Sequence, residues 1–227
     1  MEFLFETREE ASIAAAERIA DALRRRLDAG IDTSLVVSGG TTPARCFTEL
    51  AGTEIDWSSV TVLASDDRWV PADHDDSNEK LVRETLLVDK ATDADFFGYY
   101  ADGKTIEHRC AELDAEVRFM PFPFACSLLG MGADGHFASL FPDADNLEEG
   151  LDLESHTLCL PVRTAASPHA RVSLTLAALS RSDEIVLLFF GDDKRAVYEQ
   201  CKDNGEQFPV SRLLWQKRAP VHIYWAP

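Results

Sequence analysis

The chain has 227 residues, 45% of them hydrophobic and 27% charged, a globular composition that suits one large domain with a sizeable buried core and no second domain. Forty acidic against 22 basic side chains give a formal charge of -18, which excludes nucleic acid and anionic lipid surfaces as partners of the whole molecule. An anionic ligand must therefore meet a local cluster of basic groups.

The N-terminal segment MEFLFETREEAS carries four acidic residues and no uninterrupted apolar run, so it reads as neither a signal peptide nor a membrane span. Thr7 and Glu10 fit a capping box, and Ile13, Ala16, Ala20, Leu23 and Leu27 follow at helical spacing until Gly30 stops the helix. Ser34 to Val37 reads as a buried strand running into SGGTTP, Ser38 to Pro43. There Thr42 is expected to cap, and Pro43 to open, a helix reaching about Ala51. A second strand, Val60 to Leu63, leads into the loop SDDRWVP, then an acidic loop and a helix from about Asn78 to Leu87.

Residues 91–103 lack a clean period and read mostly as loop, with a short strand through 96–100. Thr105 caps a helix ending near Val117. The apolar run Cys126 to Leu129 then breaks into a turn containing Gly130, Gly132 and Gly135, with Asp134 and His136 two positions apart. Phe137, Ala138, Leu140 and Phe141 are expected to open a helix after it. Beyond an acidic loop, Asp143 to Glu154, come strands through Thr157 to Leu160 and Arg171 to Leu176. The most hydrophobic strand, Ile185 to Phe190, ends in GDDK before a helix from about Asp193 to Cys201. A helix, about Val210 to Trp215, and a strand, Val221 to Trp225, finish the chain.

Strands alternating with helices at this spacing imply an α/β domain with a largely parallel sheet flanked by helices. Ligands of such sheets bind beyond the carboxyl ends of the strands, where SGGTTP, SDDR, GMGADGH and GDDK all fall. Arg171 precedes its strand and reaches that edge only if the strand is antiparallel or the loop before it folds over.

Each motif has a chemistry. SGGTTP offers backbone N–H groups, two hydroxyls and a helix N-terminus to an anion such as phosphate, and lacks the lysine of a Walker loop. Arg68, Arg171 and Lys194 are candidates for the local positive charge. His136 suits a general base, with Asp134 orienting the ring or touching substrate. Ser139 is a poor nucleophile inside an apolar helix, and no GxSxG elbow occurs. The remaining histidines, His74, His108, His156, His169 and His222, have no ligand spacing, so no metal is expected. The cysteines, Cys46, Cys110, Cys126, Cys159 and Cys201, are odd in number and include no CxxC pair, which fits a reducing cytoplasm.

The ordered set SGGTTP, SDDRWVP with Ser77-Asn78 after it, LGMGADGHFASLFP, ARVSLTL and GDDK resembles the glucosamine-6-phosphate isomerase/6-phosphogluconolactonase family. Within it, DDRWVP and ASLFP are similar to the lactonases, where the deaminases resemble DEYVG and AFNEP. The resemblance implies a Rossmann-like fold shared with glucosamine-6-phosphate deaminase and ribose-5-phosphate isomerase. It implies cofactor-free hydrolysis of 6-phospho-D-glucono-1,5-lactone to 6-phosphogluconate, in the oxidative pentose phosphate pathway. Separately, a monomer or weak homo-oligomer is expected. His136 and Asp134 would then be catalytic, and Gly39, Gly40, Thr41, Thr42, Arg68, Arg171 and Lys194 would bind substrate and its phosphate. An isomerase or deaminase, or a sugar-phosphate sensor, is the competing expectation.

Overall fold

The computed structural model describes residues 1–204 and 208–227. Ten strands and eight helices follow one another among the described residues. In chain order they are β1 (Glu2–Leu4), α1 (Arg8–Leu27), β2 (Thr33–Val37), α2 (Ala44–Ala51), β3 (Val60–Ala64), β4 (Asp66–Arg68), α3 (Asn78–Thr85), β5 (Asp95–Phe97), α4 (Ile106–Val117) and β6 (Cys126–Leu129). The second half continues with α5 (Leu147–Leu151), β7 (Cys159–Val162), β8 (Arg171–Leu174), α6 (Leu176–Leu179), β9 (Ile185–Phe190), α7 (Asp192–Asn204), α8 (Pro209–Trp215) and β10 (Val221–Ala226).

Seven strands form one parallel sheet in the order β1-β10-β9-β6-β2-β3-β5. Both faces are covered, so the strands are apolar in both directions rather than alternating. Leu35 and Val37 of β2 pack with α1 and α2, while Val36 between them faces the core that contains α4, α7 and α8. Val186 and Leu188 of β9 take the first side, Ile185, Leu187 and Phe189 the second. The capping box on α1 is present, with Glu10 N–H donating to Thr7 Oγ1 and Thr7 N–H donating to Glu10 Oε2.

Chain direction across the sheet reverses between β2 and β6: β3 and β5 lie on one side of this pair, β9 and β10 on the other. The loops leaving β2 and β6 thus diverge, opening a crevice at their carboxyl ends, where sheets of this kind bind ligands.

Several expectations from the sequence change. Asp66–Arg68 is a strand, not loop: it forms a three-stranded antiparallel sheet with β8 and β7 beside the main one. Because β8 is antiparallel to β4, Arg171 stands opposite Arg68 and arrives at the carboxyl edge after all. Thr42 does not cap α2; Pro43 occupies the N-cap position and no side chain bonds to the helix start. No helix follows His136. Phe137 and Leu140 instead bridge across a tight turn in which Ala138 has φ 48°. An i, i+3 apolar pair suits a helix or a turn equally, and Ser139 decides: its amide donates to Ser173 Oγ (3.2 Å) and its hydroxyl to Asp66 Oδ2 (2.5 Å). The acidic loop after Pro142 contains α5, and β1 adds an edge strand that has no strong pattern of its own.

Candidate active site

Beyond β2 the chain turns sharply through Gly40, whose φ of 81° is open to glycine and strained for other residues. The backbone N–H groups of Gly39, Gly40, Thr41 and Thr42 find no backbone acceptor among the described residues. Four unpaired amides ahead of a helix form a binding surface for an anion. The absence of a side-chain cap on α2 leaves that surface open.

Beyond β6, the glycine loop folds back on itself: Gly132 N–H donates to the His136 carbonyl (2.9 Å) and Gly135 N–H to the Gly132 carbonyl (3.1 Å). This brings the His136 ring onto Asp134, with Nδ1 to Oδ1 at 2.6 Å. A carboxylate only accepts, so Nδ1 carries the proton and Nε2 keeps its lone pair. Gly132 is required here, since a Cβ would overlap both the imidazole and the Asp134 carboxylate. Phe141 lies against the ring at a centroid distance of 4.1 Å, and the Arg171 guanidinium sits 5.2 Å from the Phe141 centroid. One aromatic side chain thereby packs against both the imidazole and a cation.

The small sheet supplies the arginines. Arg171 is largely buried, 3.5 Å from the buried Asp66 carboxylate, and its Nε has no hydrogen-bond partner among the described residues. Burial pulls its guanidinium below the ordinary arginine value; Asp66 opposes this and the like charge of Arg68 adds to it. An anion brought between the two arginines relieves that tension. Arg68 donates from Nη1 to Asn78 Oδ1 (2.5 Å) and pairs with no carboxylate among the described residues. Asp67, turned away from the cleft lining, accepts from the amides of Arg68 (2.7 Å), Asn78 (2.6 Å) and Glu79 (2.9 Å) and from Ser77 Oγ (3.2 Å), tying β4 to the start of α3. Burial pushes its carboxyl up to about 6 against the pull of those amides. Lys194, the lysine of GDDK in the first turn of α7, makes no ion pair among the described residues, whereas its neighbour Arg195 is held by Glu2 and Glu199.

These parts surround one cleft of about 490 Å³, sized for a small ligand. Gly39, Gly40, Thr41, Thr42, Arg68, Asp134, His136, Arg171 and Lys194 all line it. Three basic side chains and the carboxylates of Asp66 and Asp134 line it, a local positive balance inside a molecule of charge -18. Sequence reasoning passed over Asp66, Asn78, Ala138, Phe141 and Ala166, which line it too. Asn78 was quoted after the SDDRWVP motif without a role, while Phe141 looked like core. Among the described residues no three His, Cys, Asp or Glu side chains gather as a metal site, and no helix is long and apolar enough to cross a membrane.

Comparison with known proteins places the cleft in context. The family model of glucosamine-6-phosphate isomerases/6-phosphogluconolactonase matches residues 6–225. The chain is 40% identical over 223 residues to the 6-phosphogluconolactonase of Mesorhizobium japonicum, covering 98% of this chain and 94% of that one. It is 41% identical over 224 residues to that of Caulobacter vibrioides, at 98% and 95% coverage. The crystal structure of a 6-phosphogluconolactonase from Shewanella baltica superposes with a TM-score of 0.94 at 37% identity, covering 100% of this chain and 97% of that one. With the motif order, the parallel sheet and near-complete coverage in agreement, the chain belongs to the glucosamine-6-phosphate isomerase/6-phosphogluconolactonase family.

Proposed function

We infer that the chain is a 6-phosphogluconolactonase, a single sugar-phosphate-binding domain that hydrolyses 6-phospho-D-glucono-1,5-lactone to 6-phospho-D-gluconate. The observation that carries this reading is the convergence of the Asp134–His136 pair with an unpaired amide loop and three cations in one cleft. The relatives named above, at 40% and 41% identity over nearly the whole chain, carry the same activity in their names.

In the proposed mechanism His136 Nε2 takes a proton from water as its oxygen attacks the lactone carbonyl. Asp134 holds the ring in the tautomer that leaves Nε2 free and stabilises the imidazolium as it forms. Negative charge grows on the carbonyl oxygen, and Arg68 is the donor assigned to it. The imidazolium then gives its proton to the ring oxygen as the C1–O bond breaks, so water is split between the two ends and no redox partner is needed. At the other end the phosphate rests on the amides of Gly39, Gly40, Thr41 and Thr42, with Arg171 and Lys194 around it. Gripping a remote phosphate places the carbonyl beside the base before reaction, an entropic advantage. The free, buried state of all five cysteines supports work in a reducing cytoplasm.

Adding purified protein to the phosphorylated lactone and following its disappearance against the spontaneous rate tests the reading. Acceleration supports it. No acceleration, with ammonium release or ketose formation from an amino- or aldose phosphate instead, would transfer the chain to the isomerase branch of its family.

A further inference from the structure

Asn78, the first residue of α3, is 2% exposed and lines the cleft. Its carboxamide is engaged on both atoms: Nδ2 donates to the Asp66 carbonyl (2.7 Å) and Oδ1 accepts from Arg68 Nη1 (2.5 Å). Its backbone N–H is fixed separately by Asp67 Oδ1 (2.6 Å). On the opposite side the carboxamide abuts Gly39 so closely that a Cβ there would overlap its Cγ, Oδ1 and Nδ2. One buried side chain therefore touches the anion-binding loop and the guanidinium assigned to the carbonyl end.

We propose that Asn78 is a positioning residue that locks the Arg68 guanidinium at a set separation from the Gly39–Thr42 loop. The inference rests on the lactonase reading and specifies how its two ends are held in register. The chemistry favours an amide at this point. A carboxylate would form an ion pair with Arg68, muting the charge needed at the oxyanion, and would face the Asp66 carbonyl oxygen with another acceptor. An aliphatic side chain would leave that buried carbonyl unpaired and Arg68 free to swing. A neutral group with one donor and one acceptor satisfies both neighbours while leaving the full positive charge of Arg68 for the substrate.

The test is a double-variant cycle with Asn78→Ala and Arg68→Ala on the phosphorylated lactone, each protein checked by its thermal melt. Asn78→Ala is expected to lower kcat about 10- to 100-fold, the scale of a misplaced catalytic donor, with KM changed less than about threefold. In the Arg68→Ala background the same substitution is expected to cost nothing further, which a merely structural role would not produce. Asn78→Asp, which keeps volume and the acceptor, takes its place in the cycle if Asn78→Ala does not fold, with the same loss and the same non-additivity expected. A kcat within twofold of wild type, or losses that multiply in the double variant, overturns the assignment. The wild type run in parallel separates the two claims: an inactive wild type removes the lactonase reading, an active one with multiplicative losses removes only the role of Asn78.

Discussion

Replacing Asp134 with alanine probes the proposed catalytic pair where its geometry is most explicit. The Nδ1 to Oδ1 distance is 2.6 Å, with 28% of the His136 side chain and 45% of the Asp134 side chain exposed. In bulk water two unit charges about 4 Å apart attract by about 1 kcal/mol, and by about 4 kcal/mol at an effective dielectric constant of roughly 20. Exposure places this pair toward the lower end. A charge-assisted hydrogen bond of about 1.5–3 kcal/mol covers the same range. In the proposed mechanism the imidazolium forms as water is deprotonated, so the loss falls on the transition state: kcat should drop about 10- to 100-fold. KM should move little, because the phosphate is held by other elements, and the melting temperature should barely change at so exposed a site. Steady-state kinetics on the phosphorylated lactone give both parameters. An unchanged kcat refutes the pairing, and a raised KM at constant kcat would reassign Asp134 to direct substrate contact.

Four further outcomes follow from the same geometry. His136→Ala should lose roughly 10²- to 10⁴-fold in kcat with the fold intact, and normal turnover in that variant would dismiss it as the base. Lys194→Ala should raise KM several-fold with a smaller effect on kcat, and an unchanged KM argues against a phosphate contact. Gly132→Ala places a methyl group into the imidazole and Asp134, so kcat should fall while the phosphate still binds, as read by competition with inorganic phosphate; wild-type kinetics would contradict the close approach. Asp67→Ala strips a buried acceptor from three amides and a hydroxyl, which should destabilise the protein by about 2–4 kcal/mol and lower its melting temperature by roughly 5–15 °C, and an unaltered thermal melt would show that those bonds contribute nothing net.

The parallel sheet was legible because its strands are short apolar runs and its first helix carries a capping box in plain sequence. All nine residues singled out for the site surround one cleft. Seven of them follow the carboxyl ends of β2, β6 and β9, where the carboxyl-edge rule collects polar loops, whereas Arg68 and Arg171 stand on the paired strands β4 and β8. The second sheet was legible only in part: strands were expected at Thr157 to Leu160 and Arg171 to Leu176, but not at Asp66–Arg68, nor their pairing into a separate sheet. Asp66, Asp67 and Arg68 read as a polar turn because their burial is offset by hydrogen bonds from Ser65, Ser77, Asn78, Ser139 and the α3 amides, all but Ser65 distant in sequence. The position of Arg171 stayed open for the same reason, since only the pairing of β8 with β4 brings it to the cleft. The helix expected after His136 failed on one side chain, Ser139, whose partners Asp66 and Ser173 belong to the second sheet. Local patterns report periodicity; they do not report which buried polar groups will find one another.

The most direct test of the central claim compares kcat/KM for the phosphorylated lactone and its unphosphorylated counterpart with the same enzyme preparation. The account predicts strong acceleration of the phosphorylated substrate above the spontaneous rate and little of the other, because the amide loop, Arg171 and Lys194 act only through the phosphate. Equal acceleration of both lactones would contradict the phosphate end of the site, and acceleration of neither would contradict the function.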